Sequence, residues 1–207
     1  MTKVLLVEDQ KMAREYMAGR IADSGRYVIA AALANAAFAE MACMREKIDL
    51  VLMDICTEHD ESGFTAAAQI RKHWPHIRII MITSMADCSF LDKARKAGAD
   101  SFWYKELDQD DLLNVMDRTM RGESVWPAGT PAVQLGNAVS CEFTEKEIEV
   151  LRYLADALSY AEIADRMGVS VPAVRFHISN MLQKTGYTSK NKLAIDAINK
   201  RLIIPGF

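Results

Sequence analysis

The stretch KVLLVED, residues 3–9, sets four apolar residues in a row directly before two acids. So short a run without polar alternation suits a strand buried on both faces, and Glu8 and Asp9 then close that strand at its carboxyl end. The pattern recurs at Tyr27 to Ala31, at Leu50 to Met53 before Asp54, at Ile79 to Ile82 before Thr83, and at Ser101 to Tyr104 before Lys105. Longer amphipathic stretches separate these runs. Strand and helix alternating in this way predict an α/β unit with an open, five-stranded parallel sheet of the doubly wound kind, covered by helices on both faces. Such sheets bind ligands at the carboxyl ends of their strands, near the point where strand order reverses.

Working outward, a helix is expected over about Asp108 to Arg121, closing a first domain at residues 1–121. The next segment, GESVWPAGTPAVQLGNAVSC (122–141), holds glycines, two prolines and no base, and reads as a linker. Only helical patterns follow, so residues 142–207 are expected to form an all-α domain. Net charge is −3 over residues 1–121, while residues 143–207 carry 9 bases against 7 acids. That mild excess points only weakly to nucleic acid. Cys43, Cys56, Cys88 and Cys141 stand singly, without the spacing of a zinc site, which favours a reducing, cytoplasmic setting. The opening MTKVLLVEDQ is too short an apolar run for a signal peptide, and nowhere do about 18 apolar residues run together, so no membrane partner is expected.

If the first and third strands are neighbours, Glu8, Asp9 and Asp54 converge in one cleft, where like charges are costly unless a cation sits among them. Oxygen-only ligands and room for a phosphate fit Mg2+ best. Thr83 and Lys105, ending the last two strands, set a hydroxyl and an ammonium opposite the acids. Together these residues make a phosphoryl-transfer pocket with a carboxylate nucleophile. Taken singly, each has a plainer reading as a cap, a turn former or a surface lysine. Five such residues at the ends of four strands are not explained that way.

These positions resemble the receiver domain of bacterial response regulators, over about residues 1–121. The resemblance implies a flavodoxin-like fold in which a sensor histidine kinase phosphorylates Asp54. Glu8, Asp9 and Asp54, with the backbone carbonyl of Cys56, would hold Mg2+. Lys105 and Thr83 would answer the phosphoryl group, and Phe102 would be the aromatic that turns inward when Thr83 moves; plain core is its alternative role. The chain departs from the family after Asp54, where ICTEHDESG lacks the usual Met-Pro pair and has one residue more, so an altered loop beside the metal is expected. Glu106 follows Lys105 where many receivers place proline.

In the carboxy-terminal part, Thr144 to Glu147 and Ser159 to Glu162 both match a capping box, a hydroxyl at the cap with glutamate three residues on. The second of these helices ends at Gly168. Ser170 then caps a third helix, running to about Lys184, with Pro172 in its first turn. Val171, Val174, Ile178, Met181 and Leu182 share its inner face. Arg175, Phe176, Ser179, Asn180 and Gln183 lie on or beside the outer one. A short helix, a tight turn and a helix with such an outer face predict a helix-turn-helix whose second helix enters the major groove of double-stranded DNA. Arg175 suits guanine or phosphate, Asn180 and Gln183 suit adenine or phosphate, and Phe176 suits a thymine methyl. Lys184 and Lys190 suit phosphate, and His177 is expected to pack structurally.

Residues 142–204 resemble the four-helix DNA-binding domain of the LuxR and NarL/FixJ regulators, through T-E-x-E-x-E-V-L, E-I-A and V-S-x-x-A-V-R-F-H-I-S-N-M-L-x-K. Departures include Ala157 where glycine is usual, Ala173 for threonine, Thr185 for leucine and Lys190 for arginine. The resemblance implies a transcription regulator rather than an enzyme, active as a homodimer, with a last helix over about Ser189 to Leu202. Leu193, Ala197 and Ile198 would form a dimer seam, or else pack within their own domain. Two other functions stay open on the residues alone. One is a regulator that binds DNA without phosphorylation. The other is a phosphotransfer enzyme with a helical partner-binding domain, disfavoured because no second carboxylate stands two residues after Asp54.

Overall fold

Continuous apolar runs become the interior strands of one sheet in the computed structural model, which describes residues 1–57, 61–87, 89–105, 111–203 and 205. The chain divides into two units, Met1–Ser84 with Phe90–Ala128, and Met85–Ser89 with Gly129–Phe207. The first unit runs β1 (Thr2–Val7), α1 (Lys11–Asp23), β2 (Tyr27–Leu33), α2 (Ala39–Arg45), β3 (Leu50–Asp54), β4 (Cys56–Thr57), β5 (Glu61–Ser62), α3 (Gly63–His73), β6 (Arg78–Thr83), α4 (Phe90–Lys96), β7 (Ser101–Tyr104) and α5 (Leu112–Met120). Five strands form a parallel sheet in the order β2-β1-β3-β6-β7. β1 therefore lies between β2 and β3, and the order reverses at this point, so the connections leaving β1 and β3 part and open a crevice.

Alternation within the strands splits the core between two faces. Val4, Leu6, Leu50, Leu52, Ile80 and Ile82 pack with Met17 and Ile21 of α1 and Val115 and Met116 of α5. Leu5, Val7, Val51, Met53, Ile79 and Met81 point the other way and are equally buried. Both faces being covered is the reason the sequence shows runs rather than alternation.

The stretch read as a linker holds more structure than its composition suggested. Val125 accepts a hydrogen bond from the Phe102 N–H at 2.9 Å and donates to Ser101 Oγ at 3.0 Å, extending the edge at β7. Farther on, β8 (Gln134–Leu135) and β9 (Ala138–Val139) form a hairpin. The cause is local apolarity, since Val125, Leu135 and Ala138 are all buried.

The second unit carries α6 (Glu145–Ala155), α7 (Tyr160–Met167), α8 (Val171–Thr185) and α9 (Lys190–Asn199). Both expected capping boxes are formed in full. Thr144 and Ser159 each accept from the N–H of the glutamate three residues on, and Glu147 and Glu162 return the bond. Gly168 ends α7 in the left-handed conformation at φ 64°. The core gathers Ile148, Leu151, Ile163, Val174, Ile178, Met181 and Leu193. Ala157 sits at φ 58°, the left-handed region that a glycine would enter without strain. The last helix is shorter at both ends than the expected Ser189 to Leu202.

Candidate functional site

Parallel pairing brings the strand ends together. Met53 lies opposite Val7 of β1, so Glu8 and Asp54 follow side by side at one edge, and Thr83 stands one residue beyond Ile82, the β6 residue opposite Asp54. Lys105 joins them because its N–H donates to the Thr83 carbonyl at 2.8 Å. Glu8, Asp54 and Thr83 are buried, and Asp9 is half-buried.

Ligand oxygens of Glu8, Asp9 and Asp54 all lie within 4.8 Å of one another. The Lys105 ammonium reaches Asp54 Oδ2 at 2.7 Å and Glu8 Oε2 at 2.5 Å. Burial pushes the Asp54 carboxyl up to about 7, Lys105 pulls it back, and Glu8 and Asp9 push in the same direction as burial. Burial also works to discharge Lys105, yet Asp54 and Glu8 hold its ammonium above the usual value. Three carboxylates facing one ammonium leave an excess of negative charge away from water, and this donor set fits a hard divalent cation.

The loop after Asp54 is built as a hairpin. Cys56 pairs with Ser62 and Thr57 with Glu61, while Thr57 Oγ1 accepts from the Ala36 N–H at 3.0 Å and anchors the hairpin near α2. Residues 58–60 of that loop, together with Cys88, Glu106 and the expected start of the fifth helix at Asp108, lie outside the described residues. Gly63 donates its N–H to the Ile55 carbonyl, and a Cβ at Gly63 would stand 1.9 Å from the Asp54 carbonyl oxygen. The backbone under the acidic cluster thus requires glycine at this position.

Phe102 is buried, with its ring centroid 4.9 Å from Tyr104 and 6.1 Å from Trp126. Trp126, from the presumed linker, also lies 4.5 Å beneath the Arg95 guanidinium. Arg14 donates to the backbone carbonyls of Glu8 and Asp9 from the first turns of α1. Sequence reasoning missed both Arg14 and Trp126. The spacing of Arg14 from the acidic pair was a usable signal, since α1 begins at once and folds its first turns back over the strand end.

In the second unit, α8 presents Arg175, Phe176, Ser179 and Gln183 to solvent, with Asn180 half-buried beside them. Phe176 is 64% exposed, a large area for an aromatic on a helix whose opposite side is core. His177 is half-buried, its ring 6.0 Å from that of Phe176. Lys184 lies elsewhere. Its ammonium binds Glu147 Oε2 at 2.7 Å and the Glu142 carbonyl at 2.8 Å, joining the end of α8 to the start of α6. Burial opposes ionisation of Glu147, but bonds from Lys184 and Thr144 hold its carboxyl below the ordinary value. Glu147 and the Glu142 carbonyl take two of the three N–H donors of the Lys184 ammonium. Arg175 and Lys190 instead share the ring of Tyr160, at 5.6 and 4.2 Å. Leu193 and Ala197, expected as part of a dimer seam, are fully buried in their own core, and Ile198 is half-buried. The exposed apolar residue of α9 is Ile195.

Residues 4–117 match the response regulator receiver domain, and residues 142–197 match the luxR family of bacterial regulatory proteins. The chain is 30% identical to the response regulator protein VraR of Staphylococcus aureus strain N315, across 97% of this chain and 98% of that protein. A two-component response regulator of the LuxR family from Aurantimonas sp. SI85-9A1 is 26% identical, with a TM-score of 0.56 over 60% of this chain and 89% of that one. RcsB from Salmonella enterica serovar Typhimurium, solved bound to promoter rprA with a phosphomimetic, is similar in fold, with a TM-score of 0.59 at 15% identity over 95% of this chain and 98% of that one. Among the described residues no helix is long and apolar enough to cross a membrane.

Proposed function

Because the chain belongs to the response regulators that join a receiver domain to a luxR-type helix-turn-helix, we propose that Asp54 accepts a phosphoryl group from a sensor histidine kinase and so controls DNA binding and transcription. The family is one of transcription regulators rather than enzymes. The observation that carries the reading is the buried Asp54 carboxylate, bonded to the Lys105 ammonium within a cluster of acids at the strand ends.

Asp54 supplies an oxygen that forms the new P–O bond as the P–N bond to the kinase histidine breaks and the electron pair returns to the imidazole. Glu8, Asp9, Asp54 and the Cys56 carbonyl would hold Mg2+, which when bound offsets charge on the transferred group. Lys105, already at Asp54, keeps its ammonium against the phosphoryl oxygens, and Thr83 donates its hydroxyl to them. Phe102 moves with Thr83 and remodels the face around β7, to which Val125 and Trp126 are attached. The receiver occupies residues 1–121 and the DNA-binding domain 142–207, in a cytoplasmic protein. The phosphorylated chain forms a homodimer that sets two α8 helices on adjacent half-sites about one helical turn apart.

The test is intact-mass analysis after incubation with Mg2+ and acetyl phosphate. Addition of one phosphoryl group to the wild type, and of none to Asp54→Asn, is expected. If neither gains mass and beryllofluoride also fails to bind, the receiver is not a phosphoacceptor and the chain regulates without phosphorylation. Sedimentation and DNA titration with and without beryllofluoride then test the control step, and an unchanged monomer with unchanged DNA affinity would sink it.

A further inference from the structure

Arg175 near the start of α8 and Lys190 at the start of α9 converge on one aromatic ring. The Lys190 ammonium lies 4.2 Å from the Tyr160 ring centroid and the Arg175 guanidinium 5.6 Å from it. Both distances fall within cation–π range, and Tyr160 is half-buried against the helical core, which fixes the ring. Among the described residues neither cation belongs to an ion pair, in contrast to Lys184, which Glu147 neutralises. Glu162, the acid nearest to Tyr160 in sequence, turns its carboxylate to the Ser159 N–H at 2.8 Å.

Two like charges drawn to one place repel each other, so the arrangement needs a partner that attracts both. A carboxylate would do so but would cancel one of the two charges. The face of a ring attracts them through its quadrupole and leaves the full charge in place for an outside anion. We propose that Tyr160 is a positioning residue that gathers Arg175 and Lys190 into a single binding point for a backbone phosphate of DNA. The inference rests on the DNA-binding reading of this domain and adds to it a residue outside α8. With the cations already collected, less side-chain freedom is lost on binding than two free long chains would lose. The contact reads no base, so it acts on any duplex and is released by salt.

The experiment titrates the full chain with a random-sequence duplex of about 25 base pairs at several salt concentrations. Tyr160→Leu keeps apolar volume and removes the ring face. It is expected to bind about fivefold more weakly, with a shallower dependence on salt. Tyr160→Phe and Tyr160→Trp should restore both properties, and Tyr160→Leu should cost little more in an Arg175→Met, Lys190→Met background. Thermal unfolding of each variant separates folding from binding, and the cycle, read on the folded protein, holds even if Tyr160→Leu melts early. Wild-type affinity and salt slope in Tyr160→Leu would overturn the inference while leaving the DNA reading intact. A Phe variant as weak as Leu would also overturn it, by assigning the effect to the hydroxyl. A wild-type chain that binds no duplex at low salt would defeat the DNA reading itself.

Discussion

Asp54 is an acid held where acids are disfavoured, and its behaviour without metal follows from that. With its carboxyl pushed up to about 7 from an ordinary 3.8, the folded chain retains a proton that the unfolded chain has lost. Stability without Mg2+ should therefore fall as pH rises through that window, and the deficit is complete above it. Asp54→Asn removes the slope, and at pH 8 without metal it is expected to melt roughly 5 °C higher than wild type. The same proton competes with the cation, so Mg2+ affinity measured by titration should weaken below pH 7, by at most about tenfold per pH unit. A flat profile would mean that Asp54 is not a ligand. Gly63 gives a second test. With 1.9 Å between a Cβ and the Asp54 carbonyl oxygen, Gly63→Ala must displace the backbone under the site. It is expected to destabilise the fold by about 2 kcal/mol in denaturant titration and to weaken Mg2+ binding. At this scale the acids, Thr83 and Lys105 were legible because each ends an apolar run. Arg14 was missed although its spacing from the acidic pair offered a signal, and Trp126 was not legible because its partner is a ring distant in sequence.

Among the elements, the helices of the second unit follow their local signals closely, down to both capping boxes and the glycine that ends α7. Among the described residues two non-glycines, Ala157 and Arg201, enter the left-handed region. Ala157, at φ 58°, takes a conformation that its Cβ opposes, so Ala157→Gly should stabilise the protein by about 1 kcal/mol and raise its melting temperature. No gain would mean that the turn relaxes around the alanine. Lys184 has a partner that periodicity did not show. Its place near the outer face of α8 suggested a phosphate contact, but Glu147 lies within 2.7 Å of its ammonium. Lys184→Met is expected to cost about 2 kcal/mol of stability, because the buried Glu147 loses a charged partner. DNA affinity of the folded variant should change less than in Arg175→Met. A stable Lys184→Met that binds DNA poorly would restore Lys184 to the interface.

At the level of the whole molecule, each unit has its own core, and among the described residues the buried cluster of the second runs from Leu135 to Ile203. Residues 129–207 alone are accordingly expected to fold, giving a helical circular-dichroism spectrum, and to bind duplex DNA with no dependence on Mg2+ or acetyl phosphate. An unfolded fragment would show that the first unit is needed for its stability. The sequence by itself determined the two-part architecture, the parallel sheet, the four carboxy-terminal helices and the identity of the acidic pocket. Those features are written in short-range periodicity and in residues that end elements, and burial on both faces leaves few alternatives for an apolar run. Tertiary structure alone decided how charges and rings pair across elements. It joined Lys184 to Glu147, set Arg175 and Lys190 on Tyr160, placed Trp126 against Phe102 and buried Leu193 in its own domain. The physical reason is that an amphipathic pattern states which side of a helix meets other residues, whereas the partner there is set only when separate elements pack.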